Sequence, residues 1–85
     1  MEKIFIESNP TIHSQEVMEG VEYEVSFYKN TKMLIHTEGE VEVSFRNNVN
    51  YAIYPEGKLV PILSEQGIEK LYLKGAGKIT IWGYR

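Results

Sequence analysis

Four glutamates have the residue type and the spacing that could hold a cation. Glu22 and Glu24 are two positions apart, as are Glu40 and Glu42, and each pair alternates with apolar residues. Residues two apart in a β-strand share one face, so these carboxylates are expected to point away from the core. If the segments between them form adjacent strands, His36 would lie on the same face. A flat, exposed sheet lacks the enclosure that fixes metal geometry, so a solvated face with cross-strand ion pairs is the preferred interpretation.

No pattern for nucleophilic catalysis accompanies these carboxylates. Neither His13 nor His36 lies in a serine, cysteine or acidic pattern that resembles a known nucleophile motif. Ser26 and Ser44 lie inside predicted strands, where hydroxyls usually face solvent. The Gly-Ala-Gly segment at residues 75–77 has no following Gly-Lys-Ser/Thr motif, so it is predicted to be a turn and not a phosphate loop. The sequence therefore predicts no enzyme, no cofactor and no metal.

Alternation of apolar and polar residues is the dominant pattern of the elements that would position these groups. Residues 21–27 read Val-Glu-Tyr-Glu-Val-Ser-Phe, and residues 41–45 repeat most of that as Val-Glu-Val-Ser-Phe. A period of two is typical of half-buried antiparallel strands. Strands of one sheet in similar surroundings explain the near-repeat, because a solenoid needs three or more units. The apolar phase of the cleanest alternations predicts five core residues: Val25, Phe27, Val43, Phe45 and Ile81.

The remaining elements are short strands separated by turn residues. Strands are also predicted at residues 3–7, 32–37, 49–54, 58–63, 68–74 and 78–84, with hairpin turns at 29–31, 38–39 and 46–48. Pro61 cannot donate to a ladder, so its strand is expected at an edge or at a bulge. Residues 11–20 are left open between one helical turn and a loop. The predicted fold is all-β, a small antiparallel β-sandwich or jelly-roll-like domain of about 7–8 short strands that spans residues 1–85 as one domain.

Composition excludes several classes of function. The formal net charge is −3 and the basic residues are scattered singly, which argues against a binder of nucleic-acid phosphates. The chain has no cysteine, which excludes disulfides and thiolate zinc sites. Residues 1–7 have no basic segment followed by a long apolar run, so no signal peptide is evident. No apolar stretch approaches the roughly 20 residues of a membrane span, and the expectation is a protein that binds neither nucleic acid nor membrane.

The aromatic residues predict a contact surface. In the last predicted strand, Trp82 and Tyr84 share a face with Lys78, and Tyr54 stands opposite the apolar face of its own predicted strand. Trp and Tyr are enriched where one end of the ring is apolar and the other is wet, as in subunit contacts. Trp82 could instead cap the core. A small core without disulfides favours association, so Trp82, Tyr84, Tyr54 and Lys78 are the predicted interface residues.

The C-terminal segment resembles the ending of many short phage and prophage virion proteins. Residues 67–83 read Gly-Ile-Glu-Lys-Leu-Tyr-Leu-Lys-Gly-Ala-Gly-Lys-Ile-Thr-Ile-Trp-Gly. In those proteins a similar Tyr between hydrophobic residues precedes Lys-Gly-x-Gly and a final alternation. The resemblance implies a β-sandwich of the capsid-decoration, head-fibre or baseplate-accessory kind, made in the host cytoplasm and bound in the virion to itself or to other virion proteins. It carries over no functional residue. The alternative is a carbohydrate-binding module that uses Trp82, Tyr84 and Tyr54.

Overall fold

The computed structural model describes residues 1–45 and 50–84 and shows them as five β-strands in one mixed sheet, with no helix in these two ranges. The strands are β1 (Glu2–Ile6), β2 (Thr11–Val17), β3 (Tyr23–Ser44), β4 (Ala52–Ile53) and β5 (Leu59–Tyr84). Their order in the sheet is β1-β3-β5-β2, and β4 pairs with β3. The all-β prediction is confirmed. The turn predicted at residues 46–48 and the start of the strand predicted at 49–54 lie outside the described residues.

The sheet is mixed and not antiparallel throughout, because β1 pairs with β3 in the parallel direction. The remaining pairings, β2 with β5, β3 with β4 and β3 with β5, are antiparallel. Two parallel neighbours need a crossover connection of a dozen or more residues. Residues 7–22 supply that connection, and they contain β2, which pairs with the far side of β5 before the chain returns to β3.

Strands β3 and β5 are 22 and 26 residues long, so the described strands are fewer and longer than predicted. The predicted turns at residues 38–39 and 75–77 do not reverse the chain. Both strands bend there and stay paired, with Gly39 opposite Gly77 and Gly75 opposite Val41. The φ angles of the three glycines are positive, and a Cβ on Gly75 or Gly77 would collide with a carbonyl oxygen of β3. Glycine at these positions therefore lets two strands bend together.

The bends let β3 pair with β5 in three separate stretches. Residues 23–26 lie opposite residues 70–73, residues 32–44 lie opposite residues 72–84, and residues 32–36 also lie opposite residues 59–63. Leu73 thus has a β3 neighbour on each side. The two near-copies in the sequence therefore flank one stretch of β5. They occupy equivalent surroundings on its two sides, which is the physical reason for their similarity. Residues 32–37, in the middle of β3, pair with residues 59–63 and 79–84. The strands predicted at residues 21–28, 32–37 and 40–45 are therefore not direct neighbours in the sheet.

The core lies between the inward-pointing residues of β3 and β5, with Val17 added from β2. Val25, Phe27, Val43 and Ile81 are buried, as the alternation predicts. Phe45 is half-buried and packs against the edge of this cluster. It follows the last residue of β3, where ladder pairing no longer fixes the direction of the side chain.

Residues 11–17 form the regular strand β2 and neither a helical turn nor a loop. The local sequence signals that favour a capped helical turn do not decide the structure here, because residues 77–83 of β5 offer a complete antiparallel partner. Thr11 is buried and its hydroxyl accepts a hydrogen bond of 3.0 Å from the side-chain amide of Asn30. This bond joins β2 to β3 through the interior of the fold, and it explains why Asn30 is buried and not in the exposed hairpin turn predicted at residues 29–31.

Candidate functional site

A face of the sheet built from β2, β3 and both ends of β5 carries exposed apolar side chains. Residues 32–38 of β3 lie between residues 78–84 and residues 59–63 of β5, and β2 pairs with the outer side of residues 77–83. Along these stretches Met33, Ile35, Ile79 and Ile81 are buried, so the alternate residues point away from the core. The outward residues, which we call the Trp82 face, are Ile12, Ser14, Glu16, Lys32, Leu34, His36, Glu38, Leu59, Pro61, Leu63, Lys78, Thr80, Trp82 and Tyr84.

The register lines up the apolar residues of this face in one row. Trp82 is opposite Ile12 on one side and Leu34 on the other, and Leu34 is opposite Pro61. Ile12 is 60% exposed, Pro61 is exposed, and Trp82 and Leu34 are half-buried. Four neighbouring strand segments at a spacing of about 4.8 Å make this an unbroken apolar row roughly 14 Å long. A contiguous apolar row at the surface is typical of an interaction site.

Polar and mixed rows border the apolar row on both sides. One neighbouring row contains Tyr84, Lys32 and Leu63, and the row on the other side contains Ser14, Thr80, His36 and Leu59. The hydroxyls of Ser14 and Thr80 are 3.2 Å apart. A last row contains Glu16, Lys78 and Glu38. An apolar centre with a polar and charged border is the usual anatomy of a protein–protein interface.

Three of the four predicted interface residues belong to the Trp82 face, namely Trp82, Tyr84 and Lys78. Tyr54 is half-buried and packs against the core cluster, and burial raises the pKa of its phenol above the ordinary value. Sequence reasoning missed Ile12 and Leu34. Leu34 falls in the polar phase of its strand and could have been found from that signal, whereas Ile12 could not, because β2 itself was not predicted.

Replacing Tyr54 by phenylalanine tests the placement of Tyr54. Because burial raises its pKa, the folded protein holds the neutral phenol to higher pH than the unfolded chain does. The contribution of the neutral Tyr54 phenol to the free energy of unfolding is fully present below pH 10, and it is lost as the pH rises through the pKa of the folded state. A spectrophotometric titration of the wild type minus Tyr54→Phe should show the missing phenolate signal centred above pH 10. A difference signal centred at or below pH 10 would contradict the burial.

The glutamates and His36 are not brought together. His36 lies on the Trp82 face opposite Thr80, whereas Glu24 lies opposite Tyr72, on a different stretch of β5. The Glu24 carboxylate is 3.7 Å from Nζ of Lys70. Within residues 1–45 and 50–84, no three His, Cys, Asp or Glu side chains form a group that could hold a metal ion. The arrangement that a cation site with His36 required is therefore not present in the fold.

Tyr51 forms a polar cluster with charged side chains, among them Glu22 and Glu42. Nζ of Lys74 lies 4.3 Å from the centre of the Tyr51 ring. The pKa of Tyr51 is raised, first by partial burial and then by the negative charges of Glu22 and Glu42. A tyrosine held protonated beside both signs of charge contributes to the surface network of the sheet.

Phe5 and Tyr28 form a second, smaller aromatic patch on the outside of β1 and β3. Their ring centres are 5.4 Å apart at an interplanar angle of 78°, which is an edge-to-face contact. Both side chains are about half exposed, at 53% and 47%. The two rings contact each other, and they lack the row of apolar neighbours that the Trp82 face has.

Comparison with protein families, with curated proteins and with solved structures finds no match to this chain. The part of the chain that the structure describes contains no helix of the length and apolarity needed to span a membrane. The function must therefore be inferred from the fold and from the chemistry of its surfaces.

Proposed function

We propose that this chain is a non-enzymatic structural subunit that binds protein through the Trp82 face. The observation that carries the proposal is the apolar row, which leaves Ile12 60% exposed opposite Trp82 in regular sheet. Exposed apolar area is unfavourable in water at roughly 25 cal/mol per Å², and a protein partner would remove it from water. A tryptophan at the centre of such a surface is the residue type that most often anchors protein contacts.

The partner class that we propose is a virion lattice, with the chain as a capsid-decoration or accessory subunit made in the host cytoplasm. The resemblance of residues 67–83 to the endings of short virion proteins supports this choice. Those residues include the bend at Gly75 and Gly77 and the start of the Trp82 face at Lys78. The segment that resembles virion proteins is thus the one that positions the proposed contact.

We also propose that the bent strands pack as two layers, in the manner of a small β-sandwich or jelly roll. Two sets of pairings support this arrangement. Residues 23–26 and 42–44 pair with residues 70–74, whereas residues 32–37 pair with residues 59–63 and 79–84. Both sets contribute buried side chains to one core cluster, as two facing sheets would.

Replacing Ile12 by serine is expected to weaken binding to purified virion particles at least tenfold. Ile12 is exposed, so the change should leave the fold intact while it removes apolar contact area at the apolar row. Ile53→Ser is the matched control, because Ile53 is 72% exposed on β4, away from the Trp82 face. Co-sedimentation with gradient-purified particles measures the binding. Equal losses for both variants, or particles that lack the chain, would contradict the proposed role.

Carbohydrate binding is the second candidate function, and one observation favours it. Trp82 is two residues from Thr80 on the same face of one strand, and the Thr80 hydroxyl pairs with that of Ser14, so an aromatic residue and polar groups occupy neighbouring positions on an open face. Such a combination could stack on a sugar and bind its hydroxyls. A glycan array that gives a hit with the wild type, abolished in Trp82→Ala, would favour this function over protein binding.

A further inference from the structure

We infer that the occupant of the Trp82 face is a second copy of this chain, packed face to face about a two-fold axis parallel to the strands. This inference rests on the proposed function, since it names the component of the proposed virion lattice that covers this surface, namely a neighbouring copy of the same chain. The axis would run between the stretch of β5 that holds Trp82 and the stretch of β3 that holds Leu34. In such an interface the same patch serves on both copies, so each contact occurs twice.

The apolar row is self-complementary under this rotation. Its order across the sheet is Ile12, Trp82, Leu34 and Pro61. Rotation about the axis places Trp82 of one copy on Leu34 of the second copy, and Ile12 on Pro61. The large indole would thus meet a smaller aliphatic side chain at two symmetric places. Interdigitation of this kind lets the faces of two sheets approach to about 10 Å.

The charged rows are self-complementary under the same rotation. Lys78 lies one strand from Glu38 in its own sheet, on opposite sides of the axis. It would therefore meet Glu38 of the second copy, and the reciprocal pair would form as well. At the other end of the face, Lys32 would lie over the Tyr84 ring of the second copy, where a cation–π contact is favourable. The apolar row, the row with Lys78 and Glu38 and the row with Lys32 and Tyr84 therefore each meet compatible chemistry, although each chain carries a net charge of −3.

The size of the face fits a weak, specific dimer. Four strand segments about 4.8 Å apart and four rows about 6.8 Å apart cover roughly 500 Å² on each copy. The molecule measures 31 × 26 × 22 Å, so the face spans much of one side. Two copies would bury about 1,000 Å², which is the lower limit for a specific interface. An interface at this lower limit is expected to bind weakly, so the dimer should be concentration-dependent.

Charge reversal at one symmetric pair tests this geometry. Lys78→Glu alone and Glu38→Lys alone should each raise the dissociation constant at least tenfold, because each places like charges together twice. The double variant restores opposite charges and should return to near the wild-type value. Lys70→Glu with Glu24→Lys is the matched control, since that ion pair lies off the Trp82 face, and it should leave the dimer unchanged. Sedimentation equilibrium over a wide concentration range gives the constants.

Lys78 and Glu38 are also neighbours within one chain, so melting temperatures in dilute solution separate loss of folding from loss of the dimer. The milder pair Lys78→Gln and Glu38→Gln serves if a reversal prevents folding. A wild type that stays monomeric at millimolar concentration, or single reversals that leave the constant unchanged, would overturn the second-copy inference. If the dimer is absent but Ile12→Ser still loses binding to particles, the second-copy inference fails and the proposed virion function stands. If the dimer forms but particles bind no chain, the virion function fails and the second-copy inference stands.

Discussion

Replacing Gly77 by alanine is expected to destabilise the protein severely, and to unfold it at room temperature if its stability lies at the low end of the range for this chain length. Gly77 has a φ angle of +156°, and an added Cβ would collide with the carbonyl oxygen of Glu38 and lie 3.0 Å from Cγ2 of Val41. Both obstacles belong to the strand paired with it, so relief would require the two long strands to separate where they bend. We expect a cost above about 4 kcal/mol, against a total stability of roughly 4–13 kcal/mol for a chain of this length.

The matched control for this prediction is Gly20→Ala. Gly20 also has a positive φ, +83°, but an added Cβ there would meet no atom within 4 Å. This variant therefore carries only the conformational penalty of a left-handed alanine, about 1–2 kcal/mol. Urea unfolding followed by circular dichroism compares the two. If Gly77→Ala were as stable as Gly20→Ala, the bend would not depend on close approach of the two backbones.

The same glycines show where prediction from the sequence stops. Alternation identified the strand type and the buried phase, because a period of two is a local property that tertiary structure left unchanged at Val25, Phe27 and Val43. Glycine, however, has two uses in a β-protein. It permits a reversing turn, and it permits a bend where another backbone approaches closely. The choice between them at Gly39 and Gly77 depends on what lies opposite, which no local pattern contains.

The candidate site was also predictable from the sequence only in part. Trp82, Tyr84 and Lys78 were placed on one face correctly, because all three lie in one strand and side-chain direction follows from their spacing. Ile12 and Pro61 join them only through pairing between strands that are distant in the sequence. Those pairings are long-range, and they align residues from β2, β3 and both ends of β5 in one row. A surface that spans several strands is therefore visible only once the register is established.

Replacing Leu71 by alanine is expected to lower the free energy of unfolding by about 2–5 kcal/mol, which is the range for a fully buried leucine. Leu71 is 0% exposed and lies opposite Val25, in the stretch of β5 that the two near-copies flank. The loss combines the transfer energy of the missing carbons with the cavity that the rigid neighbouring strands cannot fill. For a protein with a small core, the melting temperature should fall by about eight degrees or more, since about 1 kcal/mol corresponds to about 4–8 °C at this size.

Leu63→Ala removes the same atoms from the same strand and is the control for Leu71→Ala. Leu63 is 76% exposed on the Trp82 face, so its truncation should change the stability of the dilute monomer by no more than about 0.5 kcal/mol. In concentrated solution the same variant should weaken self-association, because Leu63 borders the apolar row. The two leucine variants therefore separate an effect on the stability of the monomer, expected for Leu71→Ala, from an effect on self-association, expected for Leu63→Ala. Equal destabilisation by the two leucine variants in dilute solution would mean that the inward and outward phases of β5 are assigned wrongly, and the Trp82 face would then not exist as a surface.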